Sequence, residues 1–491
     1  MIESVEKTDQ SEELNPQMVN SRVRKGVVVL TARTIFIQII SFSANALLTV
    51  FLLPVEYGVF FLVSAVINFL GYFSDIGFAA SLIQKKEKLS DDDLKTIFTA
   101  QQILVLGLLV LVVLVTPIIG NFYNFDQTAS YLLWALAFSL FLSSLKTIPS
   151  VLLERKLEFN KLVIPQIVET VIFNITVVYL AWKGFGVSSF VAAVLFRGLS
   201  GLVVTYIVSP WMPSFSFSLK SFKGIMKFGI PYQANAFLAM IKDDGMTLFL
   251  GSILGVHGIG LLGWAQKWAY APLRFFMDQV IKVTFPAFSR LQDNRLELSK
   301  AVSKAINFVC LLVFPSLVLL VIIAPSLVQI IPKYNKWEGA LFALTILSVT
   351  SALAAITTPL TNTLNAIGKI SLTFKLMIMW TVLTWIFVPF LSLSFGLNGA
   401  AVGFTLVGLS SFLAMYLVSR YVDINYLAVV GKPILASIVI AVVVWVVKNM
   451  FAVSLLQVAI TLLVGIFVYG LVIVMIDKSI RDLLKTIVKR K

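Results

Sequence analysis

At 491 residues the chain is long enough for several water-soluble domains, but 59% of its residues are hydrophobic, only 13% are charged, and mean hydropathy is +0.94, which excludes them. The net charge of +15 would suit nucleic acid, yet most basic residues sit in short connections between apolar runs. What remains is a multi-pass membrane protein: runs of roughly 18 residues or more recur almost end to end, each able to cross a hydrocarbon core of about 30 Å as a helix, the form that satisfies backbone polar groups in lipid.

Residues 1–20 are polar and acidic with no apolar core, so a disordered tail is expected there rather than a signal peptide. Span one covers residues 26–52, with Thr34, Gln38, Ser41 and Asn45 recurring on one side of a helix. Arg33 lies about 12 Å inside the charged flank at 1.5 Å per residue, and either snorkels or lines a cavity. Span two, residues 57–84, carries Ser64, Asn68, Gly71 and Asp75 at spacings of 4, 3 and 4. Asp75 is either a proton or cation site or a carboxylate paired with Arg33. In the loop KKEKLSDDDLK, Asp91, Asp92 and Asp93 resemble the metal-binding acids of a sugar-nucleotide transferase, but carboxylates capping the next helix explain the run without a metal.

Span three (94–119) is aliphatic and expected to face lipid. Span four (130–153) carries Lys146, expected to snorkel. Span five (162–182) has Glu169 among Gln166, Thr170 and Asn174, and span six (187–209) has Arg197 with Gly201 and Thr205. Glu169 and Arg197 are placed to pair across adjacent helices in a structural role. The stretch SPWMPSFSFSLKSFKG then reads as a linker between two six-span halves. Leu53, Pro54, Tyr57 and Gly58 join spans one and two, as Leu254, Gly255, Gly258 and Gly260 join spans seven and eight. An even number of spans returns the chain to its starting side, so the second half is inserted the same way up, as a parallel repeat.

Residues 227–294, two long apolar segments meeting at that Gly-rich corner, are the centre of the chain. Lys242, Asp243 and Asp244 lie in the first segment. Lys267, Arg274, Asp278 and Lys282 recur along the second, at steps of 7, 4 and 4 residues. At about 100° per residue these four fall within an arc of roughly 80°. Each charge would cost about 3 kcal/mol or more in hydrocarbon. Either i,i+4 pairs neutralise one another while Lys282 snorkels, or a surplus of three cations over one anion faces a cavity that suits an anionic substrate.

Spans nine to twelve cover residues 302–323, 339–366, 370–393 and 397–418. In TTPLTNTLNAIGK, Thr358, Asn362 and Asn365 form a neutral polar stripe broken by Pro359, which either satisfies the backbone freed by proline or binds sugar hydroxyls. Lys375 snorkels. Spans thirteen (434–447, with room to extend past Lys448) and fourteen (455–476) lack internal charges and read as peripheral additions. Cys310 is the only cysteine and His257 the only histidine, so no disulfide or thiolate metal site is expected and His257 reads as a solvated corner residue. Basic residues concentrate on alternate connections, which puts both termini in the cytoplasm.

PSVLLERKLEF (149–159), LAWKGFGVSSFV, FSDIGFAASLIQKK and the pair LGSILGVHGIGLLGWAQKWAYAP with VTFPAFSRLQ resemble, in order over residues 26–418, the polysaccharide transporter branch of the multidrug/oligosaccharidyl-lipid/polysaccharide flippase superfamily. One departure is that relatives keep an acidic residue nearer the Gly251 turn, where this chain has Met246 and Thr247. The resemblance implies an all-α integral membrane fold of about 14 transmembrane helices: two six-helix lobes around a central cavity, related by a pseudo-two-fold along the membrane normal, plus two C-terminal helices. The corresponding division is a cytoplasmic tail (1–25), first lobe (26–209), linker (210–226), second lobe (227–420), two added helices (421–477) and a basic tail (478–491).

It also implies the cargo: polyprenyl-pyrophosphate-linked oligosaccharide repeat units, moved between leaflets of the cytoplasmic membrane for cell-surface polysaccharide and lipopolysaccharide biosynthesis. On this reading Lys242, Lys267 and Arg274, with Arg33, Arg197, Asn362 and Asn365, bind substrate, Arg bidentately and Lys as a point charge on phosphate. Asp75, Asp243, Asp244 and Asp278 couple an ion or the membrane potential to lobe rocking about the linker. No bond is broken, and no catalytic residue, cofactor or metal is expected. The partners are the lipid-linked oligosaccharide and membrane lipids, with a polysaccharide polymerase as candidate protein partner, no nucleic acid, and a monomeric state. A cation-coupled multidrug exporter of related fold is the alternative; it predicts acidic excess, whereas spans seven and eight carry four cations and three anions. A membrane glycosyltransferase or ligase needs larger outer connections than these.

Overall fold

A computed structural model describes residues 16–75, 77–85, 87, 89–223, 226, 237–476 and 481, with side chains from residue 29 onward. Residues 1–15 of the expected acidic tail and nearly all of the basic tail lie outside these residues, while the rest of the expected N-terminal tail, from Pro16, is not loose but opens the first helix. Every regular element among the described residues is a helix, and 12 helices are long and apolar enough to span a membrane. Two of these, Phe237–Arg290 with 54 residues and Ile370–Ser419 with 50, are far longer than the roughly 20 residues that one crossing needs. Each is broken at a glycine whose backbone no helix accommodates: Gly255 (φ 64, ψ 177) and Gly396 (φ 57, ψ −136). A positive φ suits glycine because it has no Cβ to clash. Each long helix is therefore two crossings about a one-residue corner, which makes about fourteen. The chain forms two compact units, Met1–Val256 and His257–Lys491.

In the first unit, α1 (Pro16–Phe51) leads into α2 (Pro54–Gly71). Pro54 has no N–H to waste at a helix start, and Glu56 Oε2 accepts the Leu53 N–H at 2.6 Å. Span two is not one helix to residue 84. It stops in a short turn at Tyr72–Ser74, and α3 (Phe78–Gln84) starts afresh. The break has a local cause: Asp75 Oδ1 accepts the Phe78 N–H at 2.7 Å, and Gly77 takes a left-handed φ of 77°. Asp75 thus caps α3.

Helix α4 (Asp91–Tyr123) begins as the acid run predicts. Ser90 Oγ accepts the Asp93 N–H at 3.1 Å and Asp93 Oδ2 accepts the Ser90 N–H at 3.0 Å, a reciprocal cap, while Lys85 Nζ reaches Asp93 at 2.7 Å. Its exposed Ile103, Leu106, Val110, Leu114 and Ile118 form the expected lipid face. Span four divides as well: α5 (Gln127–Leu145) is followed by a separate short helix, α6 (Thr147–Arg155), then by α7 (Phe159–Trp182) and α8 (Ser188–Val208).

The linker is strapped down rather than loose. Residues 210–218 form no regular element but are tied to α4, with the Ser216 N–H on Thr99 Oγ1 at 3.1 Å, the Ser218 N–H on Thr96 Oγ1 at 2.9 Å and Trp211 against Phe98 at 5.2 Å. Residues from Phe237 to Val256, span seven, belong to this unit. Tyr123 donates its hydroxyl to the Leu248 carbonyl at 2.9 Å, and Tyr72 meets Phe237 ring to ring at 5.4 Å.

The second unit continues past the corner along α9 (Met246–Arg290), then α10 (Arg295–Ile330), α11 (Leu341–Ala366), α12 (Ile370–Leu409), α13 (Ser411–Ser419), α14 (Tyr426–Met450) and α15 (Leu455–Ile476). Its core gathers Val309, Cys310 and Val313 of α10 with Ala355 and Leu360 of α11. Span thirteen is longer than residues 434–447, since α14 reaches Met450. Lys448 donates to the Ile322 carbonyl at 2.9 Å and Tyr469 to the Leu311 carbonyl at 2.7 Å, so the last two helices are bolted to α10 by polar contacts as well as apolar packing.

Candidate functional site

The span-eight part of α9 presents two unlike faces. On one, Ala265 and Ala269 are fully buried and Met277 and Phe288 enter the core. On the other, Lys267, Arg274, Asp278 and Lys282 are all exposed. The spacing predicted one stripe, and the buried back fixes which way it faces; further along, Trp264 stacks on the buried Trp337 at 5.3 Å with 10° between their planes. The expected Arg274–Asp278 neutralising pair is absent: no hydrogen bond or ion pair joins Arg274 to another described residue. Lys267 and Arg274 are near enough for their like charges to act on each other. A guanidinium on an intramembrane helix with no ion-pair partner among the described residues is tolerable only where water or an anion reaches it.

Around this stripe the neutral polar residues divide. Asn362 is buried and donates to Thr284 Oγ1 at 3.2 Å, tying α11 to α9. Asn365 is half-buried, and its carbonyl closes the end of α11 by accepting the Gly368 N–H at 3.2 Å. Hydroxyls around Pro359 satisfy helix carbonyls, Thr363 on Pro359 at 2.8 Å and Thr361 on Thr358 at 3.0 Å.

The remaining predicted residues belong to the first unit. Lys242, Asp243 and Asp244 lie on a single π-helical turn, Ile241–Gly245, a local widening often found at functional positions. Lys242 Nζ reaches its neighbour Asp243 at 2.6 Å, and Asp244 Oδ1 accepts from Asn68 Nδ2 of α2 at 3.2 Å. Arg33 has a buried Nε with no hydrogen-bond partner. Arg197 lies 3.7 Å from Glu169 and over the Phe173 ring at 5.8 Å.

Lys146 does not snorkel. It is paired with Glu169, because α5 ends at Leu145 and turns its next residue inward toward α7. Gly201 of α8 makes room for this pair, since a Cβ there would sit 1.8 Å from Glu169 Oε1. The sequence reading paired Glu169 with Arg197 and missed Lys146, 23 residues away, because helical periodicity says nothing about contacts between helices.

The geometry defines a class: a polytopic helical membrane protein of two compact units with an exposed charged stripe on an intramembrane helix, the build of a transporter. Residues 47–342 match the polysaccharide biosynthesis protein family, and the chain belongs to that family. It is 28% identical over 377 residues to the lipopolysaccharide biosynthesis protein WzxC of Escherichia coli K12, across 74% of this chain and 72% of the relative. It is 24% identical over 281 residues to the succinoglycan biosynthesis transport protein ExoT of Rhizobium meliloti, across 56% of each. In fold it is similar to the lipid II flippase MurJ in an inward closed conformation, with a TM-score of 0.76 at 16% identity over 93% of this chain and 100% of that one. It also resembles an inward-facing multidrug resistance MATE transporter, with a TM-score of 0.60 at 17% identity over 78% and 95%.

Proposed function

We propose that this protein carries polyprenyl-pyrophosphate-linked oligosaccharide units from the inner to the outer leaflet of the cytoplasmic membrane by alternating access, with both termini in the cytoplasm and no bond made or broken. The observation that carries the reading is the exposed pair Lys267 and Arg274 on a helix whose back is buried. A pyrophosphate brings the negative charge this pair needs, and guanidinium forks and ammonium groups bind phosphate oxygens well. Membership of a polysaccharide biosynthesis family supports the substrate class, as do the names of WzxC and ExoT.

Within this reading Lys267 and Arg274 form the headgroup site. Arg33, Lys242 and Arg197 supply further positive charge along the path, with Lys242 and Arg197 partly neutralised by Asp243 and Glu169. Asn365 is the better placed of the two amides for sugar hydroxyls, since Asn362 is engaged with Thr284. Asp243, Asp244, Asp278 and Asp75 are the acids available for ion coupling. A polymerase partner and a monomeric state belong to the same proposal. The π turn with Asp244 on Asn68 favours a second reading, export of cationic compounds, which the MATE-like fold accommodates.

The test is transport in liposomes by the double variant Lys267→Ala/Arg274→Ala, purified and correctly inserted, with a lipid-linked oligosaccharide and an organic cation as alternative cargoes. Loss of lipid-linked sugar movement by at least about tenfold, equivalent to about 1.4 kcal/mol, is expected. Undiminished movement overturns the reading, and movement of the cation instead selects the second one.

A further inference from the structure

The first unit holds a cavity of about 290 Å³ lined by α3, the end of α5, α6, α7 and α8. Its ionisable lining is Asp75 before α3, Lys146 and Glu154 at either end of α6, and Glu169 on α7, while α8 contributes Thr205. The cations near it are already engaged. Lys146 is held by Glu169, and Arg197 lies beside that same carboxylate at 3.7 Å. Arg155, next to Glu154 in sequence, points elsewhere: its Nη1 donates to the carbonyls of Leu82 at 2.7 Å and Lys85 at 2.6 Å, and its Nη2 to that of Glu87 at 3.0 Å. Asp75 is occupied by the Phe78 N–H. Glu154 is left half-buried in the cavity wall, its carboxylate with no hydrogen bond or ion pair to another described residue.

We propose that Glu154 is a proton-binding site of this cavity, and that loading and release of its proton sets the seating of α6 and so couples proton movement to transport. The proposal rests on the flippase reading for its coupling half alone. A carboxylate facing a partly apolar cavity without a compensating charge is held more cheaply as the neutral acid. Burial, with no offsetting charge or hydrogen bond, pushes the Glu154 carboxyl above its ordinary value. Helix α6 is the natural transmitter, because Ile148 and Leu152, which do not line the cavity, pack into the cluster that holds α3 and the start of α4. When Glu154 ionises, the carboxylate draws water into the cavity or α6 shifts to reach it.

The full-length protein in liposomes is titrated while its carboxyl infrared bands are recorded, and the spectrum of Glu154→Gln is subtracted. The expected difference is a single carboxylic acid losing its proton at least about one pH unit above the ordinary glutamate value of about 4.3. A midpoint at the ordinary value, or no difference band, overturns the proposal. Should Glu154→Gln fail to insert, Glu154→Asp is subtracted instead, with the same midpoint criterion for the wild-type band. The coupling half is read separately from movement of lipid-linked oligosaccharide at pH 6 and pH 8. Wild type is expected to respond to pH and Glu154→Gln to have lost at least about half of that response, whereas an unchanged response overturns coupling. If the wild-type protein moves no lipid-linked sugar at any pH, the flippase reading fails while the infrared result still judges the proton site.

Discussion

Two charged regions of this molecule look alike in sequence and differ in structure. In the first unit Lys146, Glu169 and Arg197 converge, with Lys146 and Glu169 only 13% and 14% exposed and closed on each other and the more exposed Arg197 beside the same carboxylate. In the second, Lys267 and Arg274 stand exposed on one face of a helix whose opposite side is buried, and Arg274 has no ion-pair partner among the described residues. The difference teaches how to read intramembrane ions. A charge closed upon an opposite charge holds helices together, while an exposed guanidinium such as that of Arg274, with no ion-pair partner among the described residues, can hold something else.

Four experiments would break or sharpen that contrast. The largest effect is expected from Glu169→Ala, which leaves two cations uncompensated and should destabilise the first unit by about 3–5 kcal/mol, read as lost folded yield or a lowered Tm in detergent. A near-normal Tm would put Glu169 among the open charges. Next comes Arg274→Glu, expected to leave folding intact while slowing transport about a hundredfold, or about 2.7 kcal/mol; equal losses in stability and transport would make Arg274 structural. Gly201→Ala pushes a methyl into Glu169 and should cost about 1–3 kcal/mol of stability, as overpacking does. Asn362→Ala breaks the bond to Thr284 and should cost about 1 kcal/mol, with transport altered only in proportion; a selective loss of transport would return Asn362 to the sugar site.

The smallest effect concerns pH. Burial raises the Glu154 carboxyl, so the folded protein keeps that proton at pH values where the unfolded chain has released it. Stability from this group is therefore lost as pH rises through the interval above the ordinary glutamate value. Glu154→Gln should flatten the Tm of the first unit slightly over that interval, and a steeper fall would contradict the sign.

Much of the fold was legible because hydrocarbon imposes a simple rule, and about fourteen long apolar runs obey it. The corner near Gly255 and the cap at Ser90 were legible for local reasons, a backbone only glycine takes freely and an N–H only a nearby oxygen can satisfy. The stripe on α9 was legible because helical period fixes which residues share a face. What could not be read was contact between helices distant in sequence. Lys146 looks like any lysine near a helix end until α7 brings Glu169 to it, and Glu154 looks like a loop acid within ERK until a cavity forms behind it. The strap at residues 210–218 was hidden too, since its prolines and serines have the composition of a tether, yet Thr96 and Thr99 pin it.

The one-residue corners at Gly255 and Gly396 bear on how the chain is made. With no loop between spans seven and eight, or between eleven and twelve, neither partner can settle in the bilayer while the other waits at the translocon. The two arms of each pair are therefore bound to enter the bilayer in close succession, the fate of one tied to that of the other by a single glycine.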